Sequence, residues 1–215
     1  MFFCLPPIVL SLAIVIAMCI MLQELHAMLG TSPKALAGRS VTPALKIRRT
    51  RGVTWVVLAP FYPILPCIIL IYFNQTPAYK YLLLYLFALV FKFDTGSYLA
   101  GKLCSKFWTT HKIIPAVSPG KSWEGACGGY LLTTTVLMFL AHTTSWHIYA
   151  LSAVICTIAF AGDIFESALK RSANIKYSGT ILPGHGGLLD RFDAILFVSY
   201  FFFIFKNYLV MVFNR

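Results

Sequence analysis

The chain is poor in charge. Only 12% of its 215 residues are Asp, Glu, Lys or Arg, whereas 59% are hydrophobic. A soluble domain typically carries about 25% charged residues to cover its surface, so this composition excludes an ordinary soluble protein. The mean hydropathy of +0.77 indicates a chain whose main solvent is lipid.

Acidic residues are the scarcest charged group. There are seven of them against eighteen Lys and Arg, which gives a net charge of +11. In a soluble protein this excess would suggest nucleic acid. Here the basic residues lie between apolar runs, where they orient the chain and meet anionic lipid headgroups or phosphate ligands. We therefore expect membrane lipids as partners and no nucleic acid.

Several motifs are missing. The six cysteines are scattered singly, without a CxxC or Cys/His pair, which argues against a zinc centre and a disulfide framework. The P-loop pattern GxxxxGK[ST] is also absent. No internal repeat is found, although a transporter would usually show paired, repeat-related broken helices. A transporter is therefore the less favoured class.

The long apolar runs predict the fold, because about 20 apolar residues span a bilayer as a helix. The first run is too long for a signal-peptide core and lacks a basic segment before it, so we expect a true spanning helix. Three prolines should kink or unwind the second run. The mixed segment 94–107 is typical of a helix that borders a polar cavity, and 109–125 is expected to be a loop. The runs are 3–22, 53–73, 79–93, 126–141, 148–161 and 194–213.

These runs predict an all-α integral membrane protein, a polytopic bundle of about six to seven transmembrane helices. The positive-inside rule places the basic loop 23–52 in the cytoplasm, and the following helices then return 94–125 and 162–193 to the same side. We expect an active site on this cytoplasmic face. The chain divides into 1–93, with the basic loop, and 94–215, with the candidate catalytic motifs.

The placement of the acids indicates the site. Six of the seven lie in the two inner-face regions after the third run, near the ends of apolar runs. A carboxylate at membrane depth costs roughly 2.5–3.5 kcal/mol, so these acids are expected to hold something cationic. Basic residues beside them suit phosphate groups. Carboxylates, cations and glycine-rich turns together predict a Mg²⁺–nucleotide site.

Three segments carry this prediction. The first, Asp94-Thr-Gly-Ser-Tyr98, is equally consistent with a helix-capping Asp. The second, Ser118-Pro-Gly-Lys-Ser-Trp-Glu124-Gly, puts a Lys and a Glu at a helix start that favours phosphate, although a capping box would also explain it. The third ends in Pro-Gly-His-Gly-Gly-Leu-Leu-Asp190-Arg191-Phe-Asp193, a turn that a ligand can approach closely, followed by two acids on one helix face.

These segments resemble the conserved blocks of the phosphatidate cytidylyltransferase family, the CDP-diacylglycerol synthases. The third is similar to the family signature Ser-x-apolar-Lys-Arg, then Lys-Asp, then Pro-x-His-Gly-Gly-apolar-x-Asp-Arg-apolar-Asp. The similarity runs from about 94 to 193. It implies a membrane enzyme of phospholipid biosynthesis that transfers CMP from CTP to phosphatidic acid and releases pyrophosphate.

The resemblance also implies roles for residues of this chain. Magnesium is expected as the cofactor, in two divalent-cation sites or with a monovalent ion in one of them. The expected setting is a bacterial inner membrane, with a homodimer as the assembly. Expected metal ligands are Asp190, Asp193, Asp163 and Asp94. Expected catalytic residues are Asp190, Asp193, Lys170, Arg171, Lys121, Arg191 and His185. Expected contacts to the CTP and phosphatidate phosphates are Ser118, Lys121, Ser122, Glu124, Lys176, Gly186 and Gly187.

One position departs from the signature, because Tyr177 stands where the family has the Asp of Lys-Asp. A neutral phenol is a poor ligand for a hard cation. Two alternatives therefore accompany the enzyme: an inactive or weakened homologue, and a cytidylyltransferase or kinase for another lipid.

Overall fold

The computed structural model describes residues 6–30, 53–179, 181 and 186–213. Within these ranges the regular structure is almost entirely α-helical. A π-helical turn (Pro60–Ile64) joins the second and third helices, and a 3₁₀ turn (Pro77–Tyr79) precedes the fourth. The helices are α1 (Pro7–Gly30), α2 (Val53–Ala59), α3 (Leu65–Gln75), α4 (Lys80–Phe107), α5 (Trp123–Ala141), α6 (Trp146–Ser172), α7 (Leu189–Ile204) and α8 (Lys206–Phe213).

Five helical segments in the described part of the chain are long and apolar enough to cross a bilayer. The α7–α8 pair, bent by 88°, makes a sixth if it is one span. The prediction of an all-α polytopic membrane protein is confirmed. The described residues give five such spans, or six with the bent pair, against a predicted number of about six to seven. The cytoplasmic position of the site stays a prediction.

The proline-rich second span is continuous from Trp55 to Gln75. Its π-helical turn contains Pro60 and Pro63 and accommodates them without a break in the helix. The Leu65 N–H donates to the carbonyl of Pro60, five residues back. The next carbonyl, that of Phe61, would need the N–H of Pro66, which has none. The Tyr200 hydroxyl of α7 donates to it instead, so this membrane-embedded carbonyl is satisfied by a neighbouring helix.

Two helices are longer than the apolar runs predicted. The third run and the mixed segment 94–107 form the single helix α4, so the expected division at residue 93 falls inside a helix. The segment 162–193, which lies between the last two apolar runs, begins as helix, because its first eleven residues continue α6 to Ser172. Both extensions carry polar residues on a helical face that borders a cavity. A helix end predicted from hydropathy alone therefore falls before the true end of the helix.

Glycines allow α4 and α5 to approach very closely. A Cβ built on Gly129 would lie 2.7 Å from the carbonyl oxygen of Phe93, and one on Gly128 would lie 2.1 Å from the Cβ of Ala100. Gly96 faces the same seam from α4. Such contacts between small residues are a common basis of helix association in membranes. The seam fixes Asp94 of α4 relative to the start of α5.

A short antiparallel hairpin lies before α5, where the sequence analysis expected a loop. Its strands are β1 (Lys112–Ile114) and β2 (Ser118–Ser122). The Ser122 hydroxyl then accepts the Gly125 N–H at 3.2 Å and caps α5. The hairpin thereby fixes the residues just before the helix.

Candidate active site

A polar cavity of about 510 Å³ lies where α4, β2 with the start of α5, α6 and α7 converge. Its position follows from the glycine seam and from a second close crossing, in which a Cβ on Gly162 would lie 2.9 Å from the carbonyl oxygen of Asp193. The cavity collects residues from all three predicted segments. Its polar lining is Asp94, Thr95, Ser97, Tyr98, Gly120, Lys121, Ser122, Asp163, Lys170, Asp190, Arg191 and Asp193.

Three of its carboxylates come from three different helices. Asp193 is 8% exposed, and one of its oxygens accepts the Ala194 N–H at 2.7 Å. Its charge lies within electrostatic range of Asp163 and Asp94. Mutually repelling carboxylates are costly at the membrane level unless a cation joins them. We refer to Asp94, Asp163 and Asp193 together as the acidic wall of the cavity.

Lys121 faces this wall. Its ammonium group is 2.6 Å from a carboxylate oxygen of Asp163 and lies 4.4 Å from the centre of the Phe160 ring. Arg191 of α7 also lines the cavity. Lys121 of β2 and Arg191 of α7 therefore bring two cations to one pocket, an arrangement that suits a phosphate chain.

Glu166, Lys170 and Asp190 form a buried ion-pair triad at the edge of the cavity, and Lys170 and Asp190 belong to its lining. The Lys170 ammonium pairs with Glu166, four residues earlier on α6, and with Asp190 of α7 at 2.6 Å. The second oxygen of Asp190 accepts the N–H groups of Ser178 and Gly187, at 3.0 and 2.8 Å. Both oxygens of Asp190 are thus engaged, and Lys170 is shared between two carboxylates. In the structure the triad joins α6 to α7 and to the turn before α7.

Two predicted site residues contact other protein groups, and the backbone of a third forms part of the hairpin. Arg171 donates to the carbonyls of Val117 and Ile175, at 3.2 and 3.3 Å, and so ties the hairpin to the end of α6. Ser118 pairs with β1 in the hairpin. Glu124 accepts the His111 N–H at 3.1 Å and pairs with the His111 ring at 2.9 Å.

The remaining predicted residues lie at the turn before α7. Lys176, Gly186 and Gly187 do not line the polar cavity. Gly186 has a φ of +86°, a conformation that favours glycine, and its neighbour Gly187 supplies the N–H to Asp190. His185 lies outside the described residues.

One buried acid was missed by the sequence analysis. Glu24, near the end of α1, accepts N–H groups from Leu188 and Leu189 at 2.9 and 2.8 Å. The six other acids were grouped because they flank later spans, whereas Glu24 follows the first apolar run on its own. The same rule on costly carboxylates applies to it, and that signal would have found it.

Comparison with known proteins identifies the chain's relatives. Residues 39–209 match the cytidylyltransferase family. The chain belongs to this family. The match spans all three motif segments and all residues that line the polar cavity.

Individual relatives carry a more specific name. A phosphatidate cytidylyltransferase of Haemophilus influenzae is 41% identical over 139 residues, 57% of this chain and 46% of the relative. Those of Staphylococcus epidermidis (38% over 132 residues, 59% and 49%) and Staphylococcus haemolyticus (40% over 121 residues, 54% and 45%) are similar. The chain spans about half the length of the curated relatives it matches.

The donor set of the cavity suits a hard divalent cation. Among the described residues no three His, Cys, Asp or Glu side chains form a group that could hold a metal ion on its own. Mg²⁺, however, is commonly bound by one or two carboxylates together with substrate phosphates. Asp94, Asp163 and Asp193 offer such oxygens. The residues therefore fit a cation that arrives with a nucleotide.

Tyr177, the departure from the family signature, lies close to Gly186 in the turn before α7. It is 53% exposed, its ring is 5.2 Å from the Lys176 ammonium, and it does not line the polar cavity. Asp94, Asp163 and Asp193 are intact inside the cavity. Together with the names of the relatives, this does not favour the interpretation as an inactive homologue.

Proposed function

We propose that the chain carries the active site of a phosphatidate cytidylyltransferase, which converts CTP and phosphatidic acid into CDP-diacylglycerol and pyrophosphate. The observation that carries the proposal is the polar cavity, in which an acidic wall faces Lys121 and Arg191. Family membership and the names of the relatives support it.

The two cations would bind the phosphates. Lys121 forms a salt bridge with Asp163. A triphosphate could take the place of Asp163 in this pair, because carboxylate and phosphate oxygens both bind an ammonium group. Arg191 offers a planar guanidinium that suits two phosphate oxygens at once. Their presence in one cavity would bring both substrates' phosphates together and reduce their mutual repulsion.

Asp94, Asp163 and Asp193 would hold magnesium. The ion would neutralise charge on the triphosphate and on the departing pyrophosphate. Its ligands would be these three carboxylates and phosphate oxygens, because Asp190 is engaged by Lys170 and by two backbone N–H groups.

The chemistry needs little beyond orientation. An oxygen of the phosphatidate phosphate forms a bond to the α-phosphorus of CTP, and the bond from that phosphorus to the β-phosphate oxygen breaks. The attacking oxygen is already anionic, so the reaction needs no strong general base. Catalysis then consists of positioning and charge neutralisation.

The proposed substrates explain the position of the cavity. Phosphatidic acid stays in the bilayer while CTP is dissolved in water, so the site must lie where both can reach it. In α4 the cavity residues lie where the apolar run gives way to polar residues, and in α6 they lie in the second half of the helix. A bacterial inner membrane, a cytoplasmic orientation and a homodimer stay predictions.

The test uses the purified chain in lipid nanodiscs. It is given CTP labelled at the α-phosphate, phosphatidic acid and Mg²⁺. The expected result is a labelled lipid and one pyrophosphate for each lipid formed. Label that enters no lipid would contradict the proposal.

Two controls sharpen the assay. CTP labelled at the γ-phosphate should give labelled pyrophosphate and no labelled lipid, whereas a lipid kinase would label the lipid. Replacing phosphatidic acid with other lipid phosphates tests the alternative of a cytidylyltransferase for another lipid. Faster labelling of one of these would change the substrate and leave the reaction type intact.

A further inference from the structure

Glu24 is a buried carboxylate far along the chain from the motifs. It is 5% exposed, and among the described residues no Lys, Arg or His pairs with it. One of its oxygens accepts the Leu188 N–H at 2.9 Å. The other accepts the Leu189 N–H at 2.8 Å and the Ser178 hydroxyl at 3.2 Å. A buried anion needs this number of donors to offset its lost hydration.

Two of these donors, the N–H groups of Leu188 and Leu189, belong to the start of α7. The residue at its N-cap is Leu188, whose side chain has no oxygen to accept the free N–H groups of the first turn. Glu24 supplies that acceptor from α1, more than 160 residues earlier in the chain. Its negative charge also lies at the positive end of the helix dipole.

The turn before α7 is shaped around this carboxylate. A Cβ on Gly187 would lie 2.6 Å from one Glu24 oxygen, and a Cβ on Gly179 would lie 2.5 Å from the other. Side chains at these two positions would displace Glu24. The glycines therefore form a cradle for Glu24.

The cradle is connected to the cavity by two hydrogen bonds. The N–H groups of Ser178 and Gly187 both donate to Asp190, which pairs with Lys170. Arg191 follows directly on α7. The contacts of Glu24 therefore fix the position from which α7 presents its cavity residues.

We propose that Glu24 is a positioning residue for the site, acting through the turn 178–179 and 186–189 and the first turn of α7. Its effect on turnover rests on the proposed function. Its effect on the turn does not, and the two can be measured separately.

The main variant is Glu24→Gln, which keeps the size of the side chain and puts an NH₂ donor where backbone N–H groups need an acceptor. Gln23, the exposed neighbour on α1, gives matched controls. Gln23→Glu alone should behave as wild type. The double variant Gln23→Glu/Glu24→Gln has the wild-type composition and charge, and should behave as Glu24→Gln. Glu24→Asp keeps the charge and should recover part of the activity.

Turnover is measured per folded molecule, well below the unfolding temperature. For Glu24→Gln we expect kcat to fall about 10- to 100-fold, the range for residues that orient a reacting group. Hydrogen exchange should rise in peptides covering 176–193 and stay unchanged in α4 and α5. Wild-type kcat in Glu24→Gln, or exchange that rises uniformly with a lower unfolding temperature and unchanged kcat, would overturn the proposal.

The two proposals fail in different ways. If the wild-type chain forms no labelled lipid, the proposed function fails. The local rise in exchange would then still support the positioning of the turn by Glu24, and its absence would overturn it.

Discussion

We expect that the glycine seam between α4 and α5 tolerates no side chain at Gly129, whereas a methyl group at Gly101 should fit. A Cβ on Gly129 would lie 2.7 Å from the Phe93 carbonyl oxygen, which belongs to the backbone and cannot rotate away. On Gly101 the nearest atoms are the Ser122 hydroxyl at 3.6 Å and the Gly125 Cα at 3.7 Å. Gly129→Ala and Gly101→Ala therefore form a matched pair.

The expected magnitude follows from these distances. Ordinary contact begins near 3.4 Å, so α4 must retreat by about 0.7 Å to accept Gly129→Ala. Overpacking of this kind costs about 1–3 kcal/mol. Both substitutions gain up to about 1 kcal/mol of helix propensity, and this gain cancels in the comparison. Gly129→Ala should therefore be less stable than Gly101→Ala by about 1–3 kcal/mol.

The assay is reversible unfolding in mixed micelles, with the free energy of unfolding compared between the two variants. Retreat of α4 also moves Asp94, the residue after Phe93, away from the acidic wall, so kcat of Gly129→Ala should fall about tenfold or more. Gly101→Ala should keep its activity. Equal unfolding free energies for the two variants would refute the close packing of α4 and α5.

Three further substitutions test the site. Lys170→Met leaves Glu166 and Asp190 unpaired in the interior and should lower the free energy of unfolding by about 3–5 kcal/mol; a loss below about 1 kcal/mol would show that the triad is not a buried ion-pair network. Asp193→Asn should lower kcat/KM by about a hundredfold and raise the half-maximal Mg²⁺ concentration, and full activity would disprove its role as a ligand. Tyr177→Asp adds a carboxylate beside the turn that contacts Asp190 and should lower that Mg²⁺ concentration by about two- to fivefold with little change in kcat; an inert wild type with an active variant would mean that Tyr177 inactivates the chain.

The membrane fold was predictable because lipid imposes a minimum length of apolar chain and excludes unsatisfied backbone. The ends of the helices were not predictable in the same way. The segments 94–107 and 162–172 are polar enough to end an apolar run, yet they continue α4 and α6 because their polar face borders the cavity. The hairpin before α5 has no periodic pattern to reveal it.

The cavity residues were predictable from the clustering of scarce acids with cations. Asp94, Lys121 and Asp193 were named from the sequence and all line one cavity. The partner of each acid was not predictable. The carboxylates of Asp190 and Glu124 could bind a metal ion as well as any other acid. Only the fold shows that they accept hydrogen bonds from backbone N–H groups. A carboxylate binds whichever donor the tertiary structure brings to it.

The charge balance of the cavity gives a reason for a cation in the proposed reaction. Four carboxylates line it against three cations, so the formal charge of the lining is negative. CTP and phosphatidic acid are themselves anionic, and a negative pocket repels both. Lys170 contributes little to offset this, because Glu166 and Asp190 already share it. A divalent cation carried in with the triphosphate reverses the sign that the phosphates meet. Under the proposed function, the dependence on magnesium therefore follows from the surplus of carboxylates and needs no preformed cluster of three ligands.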